Sequence, residues 1–311
     1  RVRALPSGAT TDFNHFYRAS QATGTPEPDV AVCEGLHCGG HQMVNWPAQS
    51  ARLDTCLGDV AIGMIDTGLN EDHETFDGAR LTVHRLSFDK LEPSRAIHGT
   101  AVAAVLIGSP KSRSPGLLPG VKLFAVDVFH RAGSDERSDV YSLLEGLSYL
   151  AEQNVDVINL SLAGPDNVLL ERALADLSGI GVISVAATGN AGSKATPQYP
   201  AAYEDVIAVT AVDRNARVYR RAVRGEHVDF SAPGVDVWTA ASIKGARPKS
   251  GTSFAAPFVT GAVALLVSET EGLTPADVRS RLVETVQDLG PEGHDPTYGH
   301  GLISLLGACE G

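Results

Sequence analysis

The stretch Lys249-Ser-Gly-Thr-Ser-Phe-Ala-Ala-Pro257 places Ser253 directly after a Gly-Thr pair, where a loop enters a long apolar segment. A serine hydroxyl is a poor nucleophile at neutral pH, and it needs a nearby base and a third group that orients this base. The start of a helix also offers unpaired backbone N–H groups and a positive dipole end, which suit a developing anion. A serine at the start of a helix is more often a cap than a nucleophile. A catalytic role for Ser253 would therefore require a suitable base and an orienting group elsewhere in the chain.

Upstream and downstream of this stretch, from about residue 59 onwards, short apolar runs alternate with longer segments of helical periodicity. The apolar runs predict buried strands over residues 60–65, 122–129, 155–160, 181–187 and 206–212. The helical pattern predicts helices over residues 101–107, 138–153, 167–178, 253–269 and 274–286. Strands that are apolar on both faces and alternate with helices predict an α/β fold with a mainly parallel sheet.

Residues 1–58 differ from the rest in composition. They are rich in Gly, Pro, His and aromatic residues and show little periodicity, apart from one predicted helix near residues 46–53. We expect an N-terminal, cysteine-containing extension (1–58) that packs on the main domain (59–311).

The four cysteines are Cys33, Cys38, Cys56 and Cys309. An even number favours two disulfides, whose three possible connectivities the sequence cannot distinguish. Two alternatives stay open: a zinc set of Cys33 and Cys38 with His37 and His41, and free buried thiols. Disulfides would indicate an oxidising compartment, which predicts a secreted or periplasmic protein.

Composition narrows the function classes. Of the 311 residues, 43% are hydrophobic and 20% are charged, as in an ordinary globular protein. A formal net charge of −12 opposes attraction to nucleic acid or anionic lipid. No apolar run approaches the roughly 20 residues of a membrane helix. The chain begins at Arg1 without a signal-peptide pattern, so we expect a processed form.

Two further residues are candidates for the base and its partner. Asp66 follows the apolar run 60–65, at the edge of the sheet where active groups of parallel α/β folds gather, and His98 opens a predicted helix. Taken singly, Asp66 also suits a turn and His98 also suits a helix cap or surface position. Neither residue is decisive alone.

Together these motifs resemble the subtilisin-like serine proteases, the subtilases, in which Asp, His and Ser follow one another in this order. The resemblance covers roughly residues 59–308 and rests on these segments: Asp66-Thr-Gly, His98-Gly-Thr, Asp156-Val-Ile-Asn-Leu-Ser-Leu162, Ala187-Thr-Gly-Asn190, Ser231-Ala-Pro-Gly234, Gly251-Thr-Ser-Phe-Ala-Ala-Pro257 and Tyr298-Gly-His-Gly-Leu302. It implies a three-layer fold and a serine endopeptidase that works through an acyl-enzyme.

The resemblance also implies roles for individual residues. Ser253 would attack the scissile carbonyl, His98 would move its proton, and Asp66 would orient the imidazole. Asn190 and the backbone N–H of Ser253 would stabilise the oxyanion. An extended peptide would pair with segments 132–134 and 161–164, and a pocket would select one side chain. The residues implied in substrate binding are Gly133, Ser134, Ser161, Leu162, Ala163 and Gly164, with Ala187, Thr188, Gly189 and Gln198 around the pocket. Gly133 and Gly164 would equally suit simple turns.

Several positions depart from the usual pattern of the family. Ala101 replaces a second histidine, and Phe254 and Phe258 stand where methionine and histidine are common. The chemistry needs no cofactor, but many members hold a structural calcium ion in the loop that corresponds to residues 108–115. Because this loop is basic and contains proline, we expect an altered calcium site. The acidic loop 70–77 is either a metal site or, more simply, solvated.

The leading hypothesis is therefore an active endopeptidase that acts on polypeptides. One alternative is a pseudoprotease that only binds peptides in its groove. Another is an esterase of the α/β-hydrolase type, although the order of motifs here opposes it. A pro-domain is not recognisable in residues 1–58, so a pro-domain, an inhibitor or another partner protein stays an open expectation.

Overall fold

The computed structural model describes residues 12–19, 39–46, 56–86 and 91–305. Its strands are β1 (Phe16–Ala19), β2 (Ala61–Asp66), β3 (Arg80–Arg85), β4 (Glu92–Pro93), β5 (Lys122–Asp127), β6 (His130–Ala132), β7 (Asp135–Asp139), β8 (Val157–Leu160), β9 (Leu162–Ala163), β10 (Ile183–Ala187), β11 (Val206–Val212), β12 (Phe230–Pro233), β13 (Val237–Ala240) and β14 (Ala246–Lys249). Its helices are α1 (Gly40–Met43), α2 (His98–Ile107), α3 (Val140–Glu152), α4 (Val168–Gly179), α5 (Thr252–Glu269) and α6 (Pro275–Val283), with a 3₁₀ turn at Glu74–Phe76.

The main sheet has seven strands in the order β12-β11-β10-β8-β2-β5-β3, and every neighbouring pair is parallel. Strands β2, β8, β10 and β11 are buried at every position, as their continuous apolar runs predict for a sheet covered on both faces. The predicted α/β fold with a mainly parallel sheet is confirmed.

Helices cover both faces of this sheet and complete three layers. In β2, Ile62 and Met64 join the core shared with α2 and α5, whereas Ala61 and Ile65 join the core shared with α3 and α4. This alternation follows from the two-residue period of a strand.

The order of the strands reverses between β2 and β8. From β2 the chain continues to β3 and β5 on one side, and from β8 it continues to β10, β11 and β12 on the other. Open α/β sheets bind ligands in the crevice at the carboxyl ends of the strands beside such a reversal. Asp66, at the end of β2, therefore lies at the favoured place for a site.

Helix α5 is long and apolar enough to cross a membrane by length and composition alone, the one such helix within the described ranges. However, 78% of it is buried inside the protein, where it packs against α2 and the strands β8 and β10–β12. It is the central helix of a globular core.

A second sheet of five strands is antiparallel, in the order β4-β6-β7-β1-β9. Its strand β1 belongs to the N-terminal segment. The short helix α1 also belongs to that segment and precedes Trp46, whose indole N–H donates to the Leu117 carbonyl. Most of the helix predicted near residues 46–53 lies outside the described residues.

Candidate functional site

The side chains of Asp66 and His98 are in direct contact in the candidate site. Asp66 is the last residue of β2 and His98 the first residue of α2, and both are almost fully buried. His98 Nδ1 lies 2.6 Å from Asp66 Oδ1, which also accepts the N–H of Thr67. Because a carboxylate accepts hydrogen bonds, Nδ1 is the nitrogen that carries the proton, and Nε2 is left to act as a base.

A second buried carboxylate supports the turn after Asp66. Asp127 ends β5 directly beside Asp66 in the parallel register. It accepts hydrogen bonds from the hydroxyl of Ser94 and the N–H of Phe129, and the same Ser94 hydroxyl accepts the N–H of Gly68. Burial raises the pKa of Asp127 to about 6. Sequence reasoning missed this residue because a second aspartate at a strand end has no motif of its own.

Ser253 stands in the first turn of α5 and is fully buried. Its carbonyl accepts the hydroxyl of Ser161, which follows β8, so the start of the helix is held on the end of a central strand. Ser161 in turn accepts the side-chain N–H of Asn159, whose oxygen accepts the hydroxyl of Thr260 further along α5. These bonds connect the strand and the helix through side chains.

The side chains of Ser253 and His98 lie in the same buried region. The ring of His98 packs against Phe254, the neighbour of Ser253, with 5.5 Å between ring centroids. Ser253 Oγ and His98 Nε2 are both buried, and neither has a hydrogen-bond partner among the described residues. Catalytic hydrogen bonds are often long without substrate and tighten when it binds.

Asn190 is placed beside Ser253 by contacts with Thr252. Its Oδ1 accepts both the N–H of Thr252 at 3.1 Å and the Thr252 hydroxyl at 3.3 Å. The same hydroxyl accepts the N–H of Gly189. The loop after β10 is therefore fixed to the first turn of α5, next to the serine.

The residues expected to bind substrate fall into two groups. Ser161 to Gly164 include the edge strand β9, and Gly164 exchanges backbone hydrogen bonds with Tyr199. Gly133 and Ser134 instead form the exposed turn between β6 and β7. Strand β1 lies between β9 and β7 (Asp135–Asp139), and β7 begins directly after the predicted segment 132–134, whose role in substrate binding stays a prediction.

The predicted pocket residues lie close together. Ala187 and Thr188 are buried at the end of β10, and Gly189 has a φ of 94°. A Cβ on Gly189 would overlap Gln198 Oε1 and approach Ala163 Cβ to 3.3 Å. A side chain at position 189 would thus fill the space between Ala163 and Gln198.

The loop that corresponds to the usual calcium site does not fit calcium. Lys111 and Arg113 stand in it, and its hydroxyls are used within the protein: Ser112 and Ser114 bond with Thr75. Calcium prefers several carboxylate and carbonyl oxygens, which this loop does not assemble.

The polar side chains of the acidic loop 70–77 contact other parts of the protein and do not point towards a common centre. Glu71 pairs with Arg85, Glu74 accepts the N–H of Gly245, and Asn70 donates to two backbone carbonyls. No group of three or more His, Cys, Asp or Glu suited to a metal occurs in the described part of the chain.

Cys56 is the cysteine that the described ranges include, and it is not a free thiol. Cys33, Cys38 and Cys309, like most of the alternative zinc set, lie outside those ranges, so the pairing of the cysteines stays a prediction. Phe258 lies 6.1 Å from the ring of His41 and joins the core of Val44 and Trp46, which accounts for an apolar residue there.

A buried Asp–His pair and a serine at a helix start, all at the carboxyl edge of a parallel sheet, are features of a serine hydrolase. Residues 58–301 match the Subtilase family, and the chain belongs to this family. It is a serine-type endopeptidase, which sets aside the α/β-hydrolase esterase.

Individual proteases are also similar to this chain in sequence or structure. Subtilisin DY of Bacillus licheniformis is 34% identical over 260 residues, which are 81% of this chain and 91% of that protein. The minor extracellular protease Epr of Bacillus subtilis (strain 168) is 31% identical over 79% of this chain, but only 38% of Epr is covered. The structure of the patellamide maturation protease PatA has a TM-score of 0.69 and 29% identity, and the match covers 81% of this chain and 96% of the chain in that structure.

Proposed function

We propose that this endopeptidase cleaves peptide bonds with Ser253 as nucleophile, His98 as general base and acid, and Asp66 as the group that orients His98. The supporting observation is the buried 2.6 Å contact between Asp66 Oδ1 and His98 Nδ1, in an imidazole ring that also packs against Phe254, the neighbour of Ser253. Each residue comes from a different element, and the strand order brings these elements to one edge.

In this mechanism Ser253 Oγ attacks the scissile carbonyl while its proton passes to His98 Nε2. The tetrahedral oxyanion is stabilised by the backbone N–H of Ser253 and the side-chain amide of Asn190. As the intermediate collapses, His98 protonates the leaving amine and an acyl-enzyme remains. Water, deprotonated by the same histidine, then releases the acid and regenerates Ser253.

No cofactor takes part in these steps, and the substrates are polypeptides. We propose a peptidase domain from residue 59 onwards with residues 1–58 packed on it, and a secreted or periplasmic location. An oxidising compartment would suit paired cysteines, and one relative, Epr, is by name an extracellular protease.

Labelling with a fluorophosphonate probe tests the proposal. Prolonged exposure should label the protein to completion and abolish cleavage of a reporter peptide, whereas Ser253→Ala should take no label. Ser280→Ala, a change of an exposed serine on α6, is the matched control and should label like the parent chain. A correctly folded protein that takes no label at any exposure time would contradict the proposed mechanism.

Such a result would instead support the pseudoprotease. One observation favours that second candidate: β7 and β9 both pair with an extended segment, β1, which they hold as an added strand. Calorimetric binding of an uncleaved peptide by the Ser253→Ala variant and the parent chain, with equal affinity, would establish it.

A further inference from the structure

Positive charge is concentrated in residues 214–224, the segment that follows β11 and that we call the arginine segment. It contains five arginines and no acidic residue, in a chain whose formal net charge is −12. Three of the arginines are exposed and two are partly buried: Arg214, Arg217 and Arg220 in the first group, Arg221 and Arg224 in the second. A cationic surface of this kind is unusual for an acidic protein and calls for an anionic partner.

The five guanidinium groups are not neutralised by the part of the protein that the structure describes. None of them forms an ion pair or donates a hydrogen bond there, whereas Arg85 and Arg279 each pair with a carboxylate. The Nε atom of Arg224 is buried and has no hydrogen-bond partner among the same residues. Asp213, which precedes the segment, accepts the backbone N–H groups of Asn215 and Arg217 instead of a guanidinium.

The backbone of the arginine segment is fixed by local contacts. The N–H of Asp213 donates to the Arg217 carbonyl at 2.9 Å, and the N–H of Tyr219 donates to the Ala211 carbonyl at 2.7 Å. Tyr219 and Val223 are buried and attach the segment to the rest of the protein. The arginines therefore extend from a defined backbone, which reduces the cost of ordering them when a partner binds.

The arginine segment is bonded to the loop that carries Asn190. The N–H of Val223 donates to the Gly189 carbonyl at 3.0 Å, and the N–H of Gly192 donates to the Arg221 carbonyl at 2.8 Å. Asn190 lies between these two glycines in the sequence. The segment is therefore adjacent to the residue proposed to stabilise the oxyanion.

A second connection leads from the arginine segment to the stretch before Ser253. Burial raises the pKa of the Tyr219 phenol, and the charges of Arg221 and Asp236 both act on it, so these groups surround one ring. The N–H of Asp236 donates to Ser250 Oγ at 2.9 Å, three residues before Ser253. The positive charge thus lies close to both segments that the proposed reaction uses.

The chemistry of arginine indicates which partner this surface suits. The substrates of an endopeptidase are polypeptides, whose anionic side chains are the carboxylates of Asp and Glu. A guanidinium binds a carboxylate through two parallel N–H···O hydrogen bonds. A single exposed ion pair contributes little, but several cations together attract an acidic ligand and speed its association. Nucleic acid fits less well, because the net charge of −12 repels a chain of phosphates.

We propose that the arginine segment is an auxiliary substrate-binding surface that recognises acidic residues of the polypeptide close to the scissile bond. This inference rests on the proposed function, since it places the surface beside Asn190 and Ser253 of the same active site. It selects among polypeptides mainly by raising the rate at which acidic ones associate, and it therefore acts on kcat/KM.

The test uses internally quenched peptides that share one core cleaved by the parent chain. Three glutamates stand either before or after this core, and each peptide has a counterpart with three glutamines. The variant Arg217→Glu/Arg220→Glu reverses two exposed charges of the arginine segment. Its matched control, Arg80→Glu/Arg172→Glu, changes the net charge equally at exposed positions on β3 and α4.

We expect the parent to cleave at least one glutamate peptide with a kcat/KM about tenfold above that of its glutamine counterpart at low ionic strength. The variant Arg217→Glu/Arg220→Glu should reduce this ratio to about two or less, whereas the control should keep the ratio of the parent. Addition of about 0.5 M NaCl should weaken the preference of the parent, because salt screens exposed charges.

The failures can be told apart. Equal cleavage of glutamate and glutamine peptides by the parent, or an unchanged ratio in Arg217→Glu/Arg220→Glu, would overturn the auxiliary surface and leave the proposed function intact. A parent chain that cleaves no peptide and takes no fluorophosphonate label would overturn both.

Two further outcomes are covered by the same set of proteins. If a single-stranded DNA of about 20 nucleotides binds the parent but not Arg217→Glu/Arg220→Glu, and glutamate gives no advantage in cleavage, the surface binds nucleic acid and the proposal is wrong. If circular dichroism shows that the double variant is unfolded, Arg214→Glu, at an exposed turn, takes its place and should lower the same ratio.

Discussion

The backbone N–H of Thr252 donates to Oδ1 of Asn190, so the oxygen of this amide is directed at the helix start and its orientation is set by α5 itself. The orientation matters because a donor to the oxyanion must be fixed before the reaction begins. We therefore predict that Asn190→Ala lowers kcat by about 10²–10³-fold with little change in KM.

Thr252→Val is the matched control for this prediction. It removes the hydroxyl that donates to the same Asn190 oxygen but keeps the amide and the backbone N–H of residue 252. Steady-state kinetics should show a much smaller loss of kcat for Thr252→Val than for Asn190→Ala. Equal losses would mean that Asn190 only holds the helix start.

Asp66→Asn should lower kcat by about 10⁴-fold, because an amide at this position no longer holds the His98 proton on Nδ1. The control is Asp72→Asn, which changes an exposed carboxylate in the following loop and should leave kcat unchanged. Measured kcat values of both variants within tenfold of each other would contradict the role of Asp66.

The raised pKa of Asp127, about 6, predicts a pH dependence of stability. The folded protein holds this proton more tightly than the unfolded chain, whose aspartate titrates near 3.8. The contribution to the free energy of unfolding is therefore complete below about pH 4 and is lost as the pH rises through about 6. Because the pKa of Asp127 differs by roughly two between the folded and unfolded states, this contribution to the free energy of unfolding is about 3 kcal/mol.

Asp127→Asn removes this titration, since its amide oxygen can still accept the N–H of Phe129. Urea unfolding of the two proteins, both with Ser253→Ala to prevent self-digestion, should show Asp127→Asn gaining relative stability between pH 4 and pH 7. If the difference in the free energy of unfolding between the two proteins stays constant from pH 4 to pH 7, the raised pKa of Asp127 is refuted.

Arg279 attaches α6 to the sheet. Its guanidinium pairs with Asp229 at 2.8 Å and donates to the carbonyls of Glu204 and Val206, and both ion-pair partners are largely buried. Arg279→Ala should lower the free energy of unfolding by about 2–3 kcal/mol, because it leaves Asp229 without its counter-charge.

Arg172→Ala is the comparison, since Arg172 pairs with Asp176 at 4.0 Å on the exposed face of α4. Loss of a solvent-exposed pair should change the free energy of unfolding by less than about 0.5 kcal/mol. Chemical denaturation in the Ser253→Ala background measures both changes, and similar values for the two would show that burial of the Arg279 pair has no special effect.

The predicted elements that agree best with the structure are those with buried, continuous patterns. Strand β11 has the predicted bounds 206–212, and α5 differs by one residue. Helix α6 ends at Val283, before the predicted residue 286, because Gln287 pairs with Leu302 and draws the chain into an extended form. Local periodicity cannot show such a long-range bridge.

The sequence patterns also did not predict the strands with charged or mixed sequences, because these strands form through pairing with distant parts of the chain. Strand β3 lies at the edge of the main sheet and carries arginine at both ends, and β7 has the sequence Asp-Glu-Arg-Ser-Asp. Strand β1 is only four residues long, and it forms because two distant edges accept it. The candidate triad was easier to predict because its motifs are local, whereas the edges of the groove depend on tertiary pairing.

The covalent connection between β1 and the rest of the chain sets how its pairing with β7 and β9 responds to the protein concentration. A strand that is part of the same molecule is present at a fixed effective concentration, so dilution of the protein would not release it. A single cut between residues 19 and 39 would change this, because β1 would then dissociate as a separate peptide and its rebinding would depend on concentration. The pairing of β1 would persist at any protein concentration, and a single cut would convert it into a reversible association that weakens as the released fragment is diluted.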